Sequence, residues 1–147
     1  MPKQEQVDLL KQESATLWNT WREAHPDTAI ELSRADLREA SLGEVNLAEA
    51  DLSQANLREA DLNHAKLHKA RLVGADLSGA NLASADLSDA DLREANLHKA
   101  YLTAANLAGA NLRGAILFGA HLNWAMLEGA LITSQQLRQA KVGQESL

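Results

Sequence analysis

The 147-residue chain contains no cysteine. That excludes a disulfide framework, a thiol nucleophile and any cysteine-based metal site. Aromatic residues are scarce: Trp18, Trp21, Tyr101, Phe118 and Trp124 are the whole set. Long apolar runs are missing too. The start, MPKQEQVDLL, offers neither the apolar core of a secretory signal nor a membrane span. A cytoplasmic location with no membrane contact is therefore expected. Positive charge is in deficit, with a formal net charge of -6, which disfavours direct binding to nucleic acid or to an acidic membrane.

What the chain has in abundance is a period. Leucine recurs every fifth residue from Leu32 to Leu127 without a miss, and Ile132 and Leu137 continue the phase. Alanine stands two residues before each leucine from Ala35 to Ala130, except at Val45. This gives 21 blocks from Ile30 to Ile132, with no insertion or deletion. Such regularity is read before any other signal.

A period of five suits neither regular element. On an α-helix, five steps of about 100° would turn each leucine by about 140° from the last, so no buried stripe could form. On a straight strand, sides alternate every two residues, and an odd repeat sends successive leucines to opposite faces. A strand that bends solves the problem. Ala35 and Leu37 share a face, and Asp36 points away from it. If Arg38 and Glu39 turn a corner, the next block faces inward again. Repeated corners give a closed prism lined by Ala and Leu, whose coils stack at roughly 4.8 Å.

Charge chooses the number of blocks per coil. With four, residues 20 apart stack, and Lys66, Lys69 and Arg71 gain five oppositely charged neighbours: Asp86, Glu49, Asp89, Asp51 and Asp91. Three blocks give two such neighbours and five blocks give three. Arg38/Arg58, Glu39/Glu59 and Arg93/Arg113 stack unfavourably at 20. An exposed pair contributes only about 0–1 kcal/mol, so the count selects a register and does not drive folding.

The consecutive blocks ADLSQ, ANLRE and ADLNH, beginning at Ala50, Ala55 and Ala60, resemble the pentapeptide-repeat family. The resemblance covers residues 30–132. It implies an all-β fold, a right-handed quadrilateral β-helix of about five coils. At about 4.8 Å per coil the shaft would be roughly 24 Å tall. Six glycines, Gly74 to Gly129, fall at one corner position, where tight backbone angles favour them. Asp and Asn before the leucines are expected to bond to neighbouring backbone at the turns.

Raw β-helix ends invite pairing with other chains, and the sequence covers both. Residues 1–28 form an N-terminal α-helical cap: Val7, Leu10, Leu17, Trp18 and Trp21 have helical spacing over 4–24, and His25-Pro26 stops the helix. Residues 29–132 are the shaft. Residues 133–147 are a short helical cap and tail, opened by a capping box of Thr133 and Gln136. Leu137 and Ala140 would fold over the last coil, and the final residues would fray.

Chemistry is hard to place on such a body. An Ala/Leu interior leaves no pocket and no titratable group. His64 and His68 have the i, i+4 metal spacing of a helix, but on the shaft they straddle a corner with no third ligand. Asp86, Asp89 and Asp91 lie above Lys66, Lys69 and Arg71, which makes charge pairing the simpler reading. There is no phosphate loop and no catalytic motif. No enzyme activity, cofactor or metal is expected, and a non-enzymatic protein-binding or scaffold module with an unidentified partner is.

The family resemblance supplies an alternative, a mimic of duplex DNA that modulates DNA gyrase. A 24 Å shaft matching B-DNA needs roughly 14 negative charges. Residues 35–132 carry 13 acidic and 8 basic residues, and the four sides sum to -1, -2, -2 and 0. No side is uniformly acidic.

One region breaks the polar exterior. In the last coil the outward positions are Ile116, Phe118, His121, Trp124, Met126 and Leu131; one coil earlier they are Asn96, His98, Tyr101, Ala104, Asn106 and Asn111. Apolar groups in water-facing rows mark something that covers them. The candidates are the C-terminal tail or a second subunit, in a homodimer through the C-terminal coil.

Overall fold

The computed structural model describes residues 3–141. Two helices, α1 (Gln4–Leu10) and α2 (Ala15–Ala24), precede the shaft, and α3 (Ser134–Gln139) follows it. The single helix expected over 4–24 is therefore two. Ser14 breaks it: its Oγ accepts the Leu17 N–H at 3.1 Å as an N-cap. Just before it, Glu13 takes a left-handed conformation with φ 57°. The break re-aims the second helix and leaves Leu17, expected inward, 48% exposed.

Between them runs a shaft of parallel bridges that join residue i to i+20: Glu31 to Asp51, Asp51 to Arg71, Arg71 to Asp91, Asp91 to Asn111, Asn111 to Leu131. Each block contributes one bridging residue, so the walls consist of isolated bridges and not of extended strands. Four blocks close a coil. We number the sides by their first full blocks: side one begins at Ala35, side two at Ala40, side three at Val45 and side four at Ala50.

The pentad is an assignment of five backbone N–H groups. In the block Asp51–Ala55, Asp51 N–H donates to the Ile30 carbonyl of the coil before (2.9 Å). Leu52 and Gln54 donate to Arg71 (2.7 Å) and Val73 (2.9 Å) of the coil after. Ala55 closes the turn on Leu52 (3.0 Å), and Ser53 donates to the Asp51 carboxylate (3.0 Å). The last bond explains the Asp or Asn before each leucine. Without that side chain, the N–H two residues on has no partner in the protein. The residue after it adopts a left-handed conformation at every corner, as at Glu39 (φ 58°), Lys69 (φ 59°) and Trp124 (φ 65°). Only some corners use glycine, such as Gly79 (φ 67°); the ladder bonds on both sides hold the other residues there against a cost of about 1–2 kcal/mol each.

Asp76 accepts from both the N–H (3.0 Å) and the Oγ (2.7 Å) of Ser78. Asp76→Ala should lower stability by about 0.5–1.5 kcal/mol, read as a shifted urea midpoint at unchanged slope. Asp76→Asn keeps the acceptor and should stay within about 0.5 kcal/mol of the parent.

Inside, the leucines from Leu32 to Leu117 have no exposed surface. Outside, the cross-coil ion pairs that argued for the register do not form. The ion pairs among the described residues are Arg38–Asp36 (2.8 Å), Arg93–Asp91 (2.7 Å) and Lys3–Glu31 (3.7 Å). Both arginines bond the Asp two residues before them in their own block. The register rests on the backbone ladder and four-sided closure; the stacked charges fit it without bonding across it.

Both ends carry polar caps. At the N-terminal end, Gln6 accepts from Glu31 N–H (2.8 Å) and donates to the Ala29 carbonyl (2.9 Å). Trp18 is fully buried and its Nε1–H donates to the Asn46 carbonyl at 2.7 Å. Asn19 pairs with Asn46 N–H (2.8 Å), and Arg22 donates to the Ala48 carbonyl (3.0 Å). These side chains take up coil-edge groups that have no coil before them.

At the C-terminal end, Thr133 and Gln136 form a reciprocal capping box. Gln136 Nε2–H also donates to the carbonyls of Leu112 (2.7 Å) and Ala115 (3.0 Å). Lys141 then bridges to His121. Closure is less complete here: Ala125, Leu127, Ala130, Ile132 and Leu137 are only partly buried. The fraying expected of the final residues falls on 142–147, outside the described residues.

Candidate functional site

The shaft interior offers no reactive group, so any site lies on its sides or ends. Among the described residues no three His, Asp or Glu side chains are grouped to hold a metal ion. No helix there is long and apolar enough to cross a membrane. A groove of about 330 Å³ on side one is lined by Arg58, Glu59, Asp76 and Lys99 beside the bare Gly79. Its charges are of both signs, with no pair poised for proton transfer. In two blocks a carboxylate is neutralised by the arginine two residues on. The hydrogen bond from Arg38 holds the Asp36 carboxyl down at about 2. Arg93 lowers Asp91 in the same way, against the opposing effect of burial.

The last coil differs. Phe118 and Trp124 are 59% and 60% exposed, and Ile116, Met126 and Leu131 are close to half exposed. Position in the pentad explains their outward aim. Ile116, His121, Met126 and Leu131 occupy the bridging position, where alternation along the strand points the side chain to solvent. Phe118 and Trp124 occupy corner positions.

The arrangement is a girdle with one dense sector. Ile116, Met126 and Leu131 start three different sides. Phe118, His121 and Trp124 are gathered on side two, with Phe118 at one corner, His121 in the middle and Trp124 at the other corner. The coil below reinforces this sector. Tyr101, itself 49% exposed, stacks under His121 with ring centroids 4.9 Å apart and planes 9° apart. His98 stacks under Phe118 at 5.8 Å and 17°. Sequence reading passed over Tyr101 and His98 as members of this surface. The signal was present: each stands 20 residues before an aromatic or imidazole ring.

The same switch removes a backbone acceptor. Asn96 takes the His98 N–H at 3.0 Å, but Ile116, one coil on, has no oxygen to offer Phe118. Met126 likewise cannot do for Glu128 what Asn106 does for Ala108 (3.0 Å). The coil therefore gives up turn-stabilising bonds to present apolar side chains.

A family model for pentapeptide repeats matches eight copies across residues 30–68, 60–98, 70–107 and 95–133. The chain belongs to the pentapeptide-repeat family. No curated protein matches it. Among solved structures, this pentapeptide-repeat protein is similar to Rfr23 from the cyanobacterium Cyanothece 51142. They share 41% identity and a TM-score of 0.60 over 67% of this chain and 65% of that one. It is also similar to a pentapeptide-repeat protein of the Arabidopsis thaliana thylakoid lumen: 35% identity, TM-score 0.53, 63% of this chain and 61% of that one. The chain thus spans just under two thirds of each of these structures. A weaker likeness, 22% identity at a TM-score of 0.32, extends to QnrB1, a plasmid-mediated fluoroquinolone resistance protein.

Proposed function

We propose that this pentapeptide-repeat protein is a non-enzymatic protein-binding module of the cytoplasm, a right-handed quadrilateral shaft that presents the girdle of its last coil to a protein partner. One observation carries the reading: side chains in solvent-facing rows change from Asn-rich to apolar after Ala115, and five of them stay about half exposed or more. Exposed Trp and Phe anchors rimmed by polar groups are the usual energetic centre of a protein contact. A shaft of Ala and Leu with mixed-sign charge outside supports neither catalysis nor direct binding of nucleic acid or membrane. A duplex mimic needs a continuous negative face, and the Lys66–Arg71 patch interrupts it.

Sedimentation velocity of the parent and a Phe118→Glu, Trp124→Glu variant, alone and in native cell extract, tests this. We expect a larger species with the parent and its loss with the variant, at an unchanged melting temperature. Equal sedimentation of the two would remove the last coil as a contact. A gyrase supercoiling assay addresses the alternative: inhibition at micromolar protein would replace this reading with the mimic.

A further inference from the structure

The C-terminal end of the shaft is covered on two sides and open on the other two. Over side one lies α3, with Gln136 on the Ala115 carbonyl (3.0 Å) and the Gln139 carbonyl on Gly119 N–H (2.9 Å). On side two Lys141 sits as the next coil would. Its N–H donates to the Ala120 carbonyl (2.6 Å), and its carbonyl accepts Leu122 N–H (3.0 Å). On sides three and four the ladder stops. The N–H groups of Leu127, Gly129 and Ile132 and the carbonyls of Ala125 and Ala130 make no hydrogen bond among the described residues. One coil earlier every counterpart is bonded. Leu107, Gly109 and Leu112 donate to the carbonyls of Met126 (2.8 Å), Glu128 (2.9 Å) and Leu131 (3.0 Å), and the Ala105 and Ala110 carbonyls accept from Met126 and Leu131 (2.9 Å each).

The core beneath this edge is also uncovered. Ala125, Leu127, Ala130 and Ile132 are only partly buried, whereas Ile30 and Leu32 at the other end are 4% and 0% exposed. A row of unpaired donors and acceptors above half-covered apolar side chains is a template for an added strand.

We infer, building on the protein-binding reading above, that the partner contributes an extended segment that adds to this edge as the next coil, with apolar residues in its inward positions and basic residues between them. The hydrogen-bonding groups ask for extended backbone, and Lys141 shows on the neighbouring side how such a residue is seated. The residues before and after each bridging position drop over Ala125 and Leu127, or over Ala130 and Ile132, so they must be apolar. Glu128 is the one charged residue from Ala115 to Ile132, and the chain carries a net charge of -6; both favour basic outward residues. The chain's own continuation does not fit side three. Counted on from Lys141 in register, Glu145 falls in the inward row above Ala125, where every block from Ala35 to Ala130 has Ala or Val. A carboxylate there would face the apolar core without a partner. Head-to-tail stacking of copies is blocked, because Gln6, Trp18, Asn19 and Arg22 already occupy the edge groups of the first coil.

The octapeptide AKLKGAKL, with acetylated and amidated ends, is the probe. Its two Ala-Lys-Leu runs match the open edges of sides three and four, and its glycine matches the corner between them. Amide exchange of the nitrogen-15-labelled protein gives the readout. Peptide at about 1 mM should slow exchange at Leu127, Gly129 and Ile132 at least about tenfold and leave the mid-shaft Leu77 unchanged. The same peptide N-methylated at the lysine within each Ala-Lys-Leu run keeps its side chains but cannot donate to the Ala125 and Ala130 carbonyls. It should bind at least about tenfold more weakly.

Unchanged exchange at saturating peptide overturns the inference, and so does equal binding of the N-methylated peptide. Edge amides already protected without peptide, and freed by removal of residues 142–147, would make the chain's own tail the occupant and overturn it too. Protection that appears only where sedimentation shows a dimer would give the edge to a second copy, with the same consequence. An extract species lost in Phe118→Glu, Trp124→Glu while the peptide fails to protect the edge keeps the protein-binding reading and discards the added strand.

Discussion

Leu77→Asp should yield no folded protein. Leu77 sits at mid-shaft with no exposed surface, and Leu57 and Leu97 occupy the same position in the coils before and after it. Every lining residue around it is Ala or Leu. The nearby backbone donors are already committed, Leu77 N–H to the Asn96 carbonyl (2.8 Å) and Ala80 N–H to the Leu77 carbonyl (3.0 Å). A carboxyl there has no partner even after it takes up a proton. The loss of a buried leucine and the burial of an unpaired polar group together cost several kcal/mol, against a total stability of about 5–15 for a domain. Leu77→Ala leaves a cavity but no orphaned polar group and should cost about 2–5 kcal/mol, giving a soluble protein with a lower melting point. Soluble yield and thermal melts followed by circular dichroism distinguish the two. A soluble Leu77→Asp protein with the parent's melting point would contradict an inward Leu77.

The second large effect is expected at the N-terminal end. Trp18→Ala should cost about 3–5 kcal/mol. The indole is fully buried and closes the first coil through its 2.7 Å bond to Asn46. In a stack whose coils touch only their neighbours, an end without its cap loses stability locally and exposes an edge for pairing. Trp18→Ala should therefore also scatter light at concentrations where the parent does not. Trp18→Phe retains much of the packing but leaves the Asn46 carbonyl without that donor, and should fall between the two. Chemical denaturation gives the order. Parent-like stability for Trp18→Ala would mean that α2 does not hold the shaft closed.

Much of the shaft was legible because five is an unusual period. The Ala and Leu positions, the coil of 20 and the role of Asp and Asn before leucine all follow from asking where one block can hide its side chains and satisfy its backbone. The charge count led to the same coil length for a reason the structure qualifies. The cations counted, Lys66, Lys69 and Arg71, make no ion pair with the carboxylates stacked on them, whereas Arg38 and Arg93 bond the Asp two residues before them, a bidentate contact inside one rigid turn that needs less ordering than a reach across coils. The break in the N-terminal helix was missed because the apolar spacing of Val7, Leu10, Trp18 and Trp21 runs through it. Ser14 before Ala15 was the local signal for a new start. On the last coil the residue list could be read directly, since the repeat fixes which positions face water. The sector formed with Tyr101 and His98 needed the 20-residue stacking to be applied to aromatic residues as well as to charges.

The most direct test of the claim that the last coil is the working surface is fluorine NMR of the protein labelled with 5-fluorotryptophan. The three tryptophans sit in different surroundings: Trp18 is buried, Trp21 stacks on His25 at 4.9 Å, and Trp124 is 60% exposed. With rising protein concentration, or on addition of native extract, the Trp124 resonance should shift or broaden while that of Trp18 stays fixed. A Trp124 resonance that stays unchanged under both conditions would contradict the account.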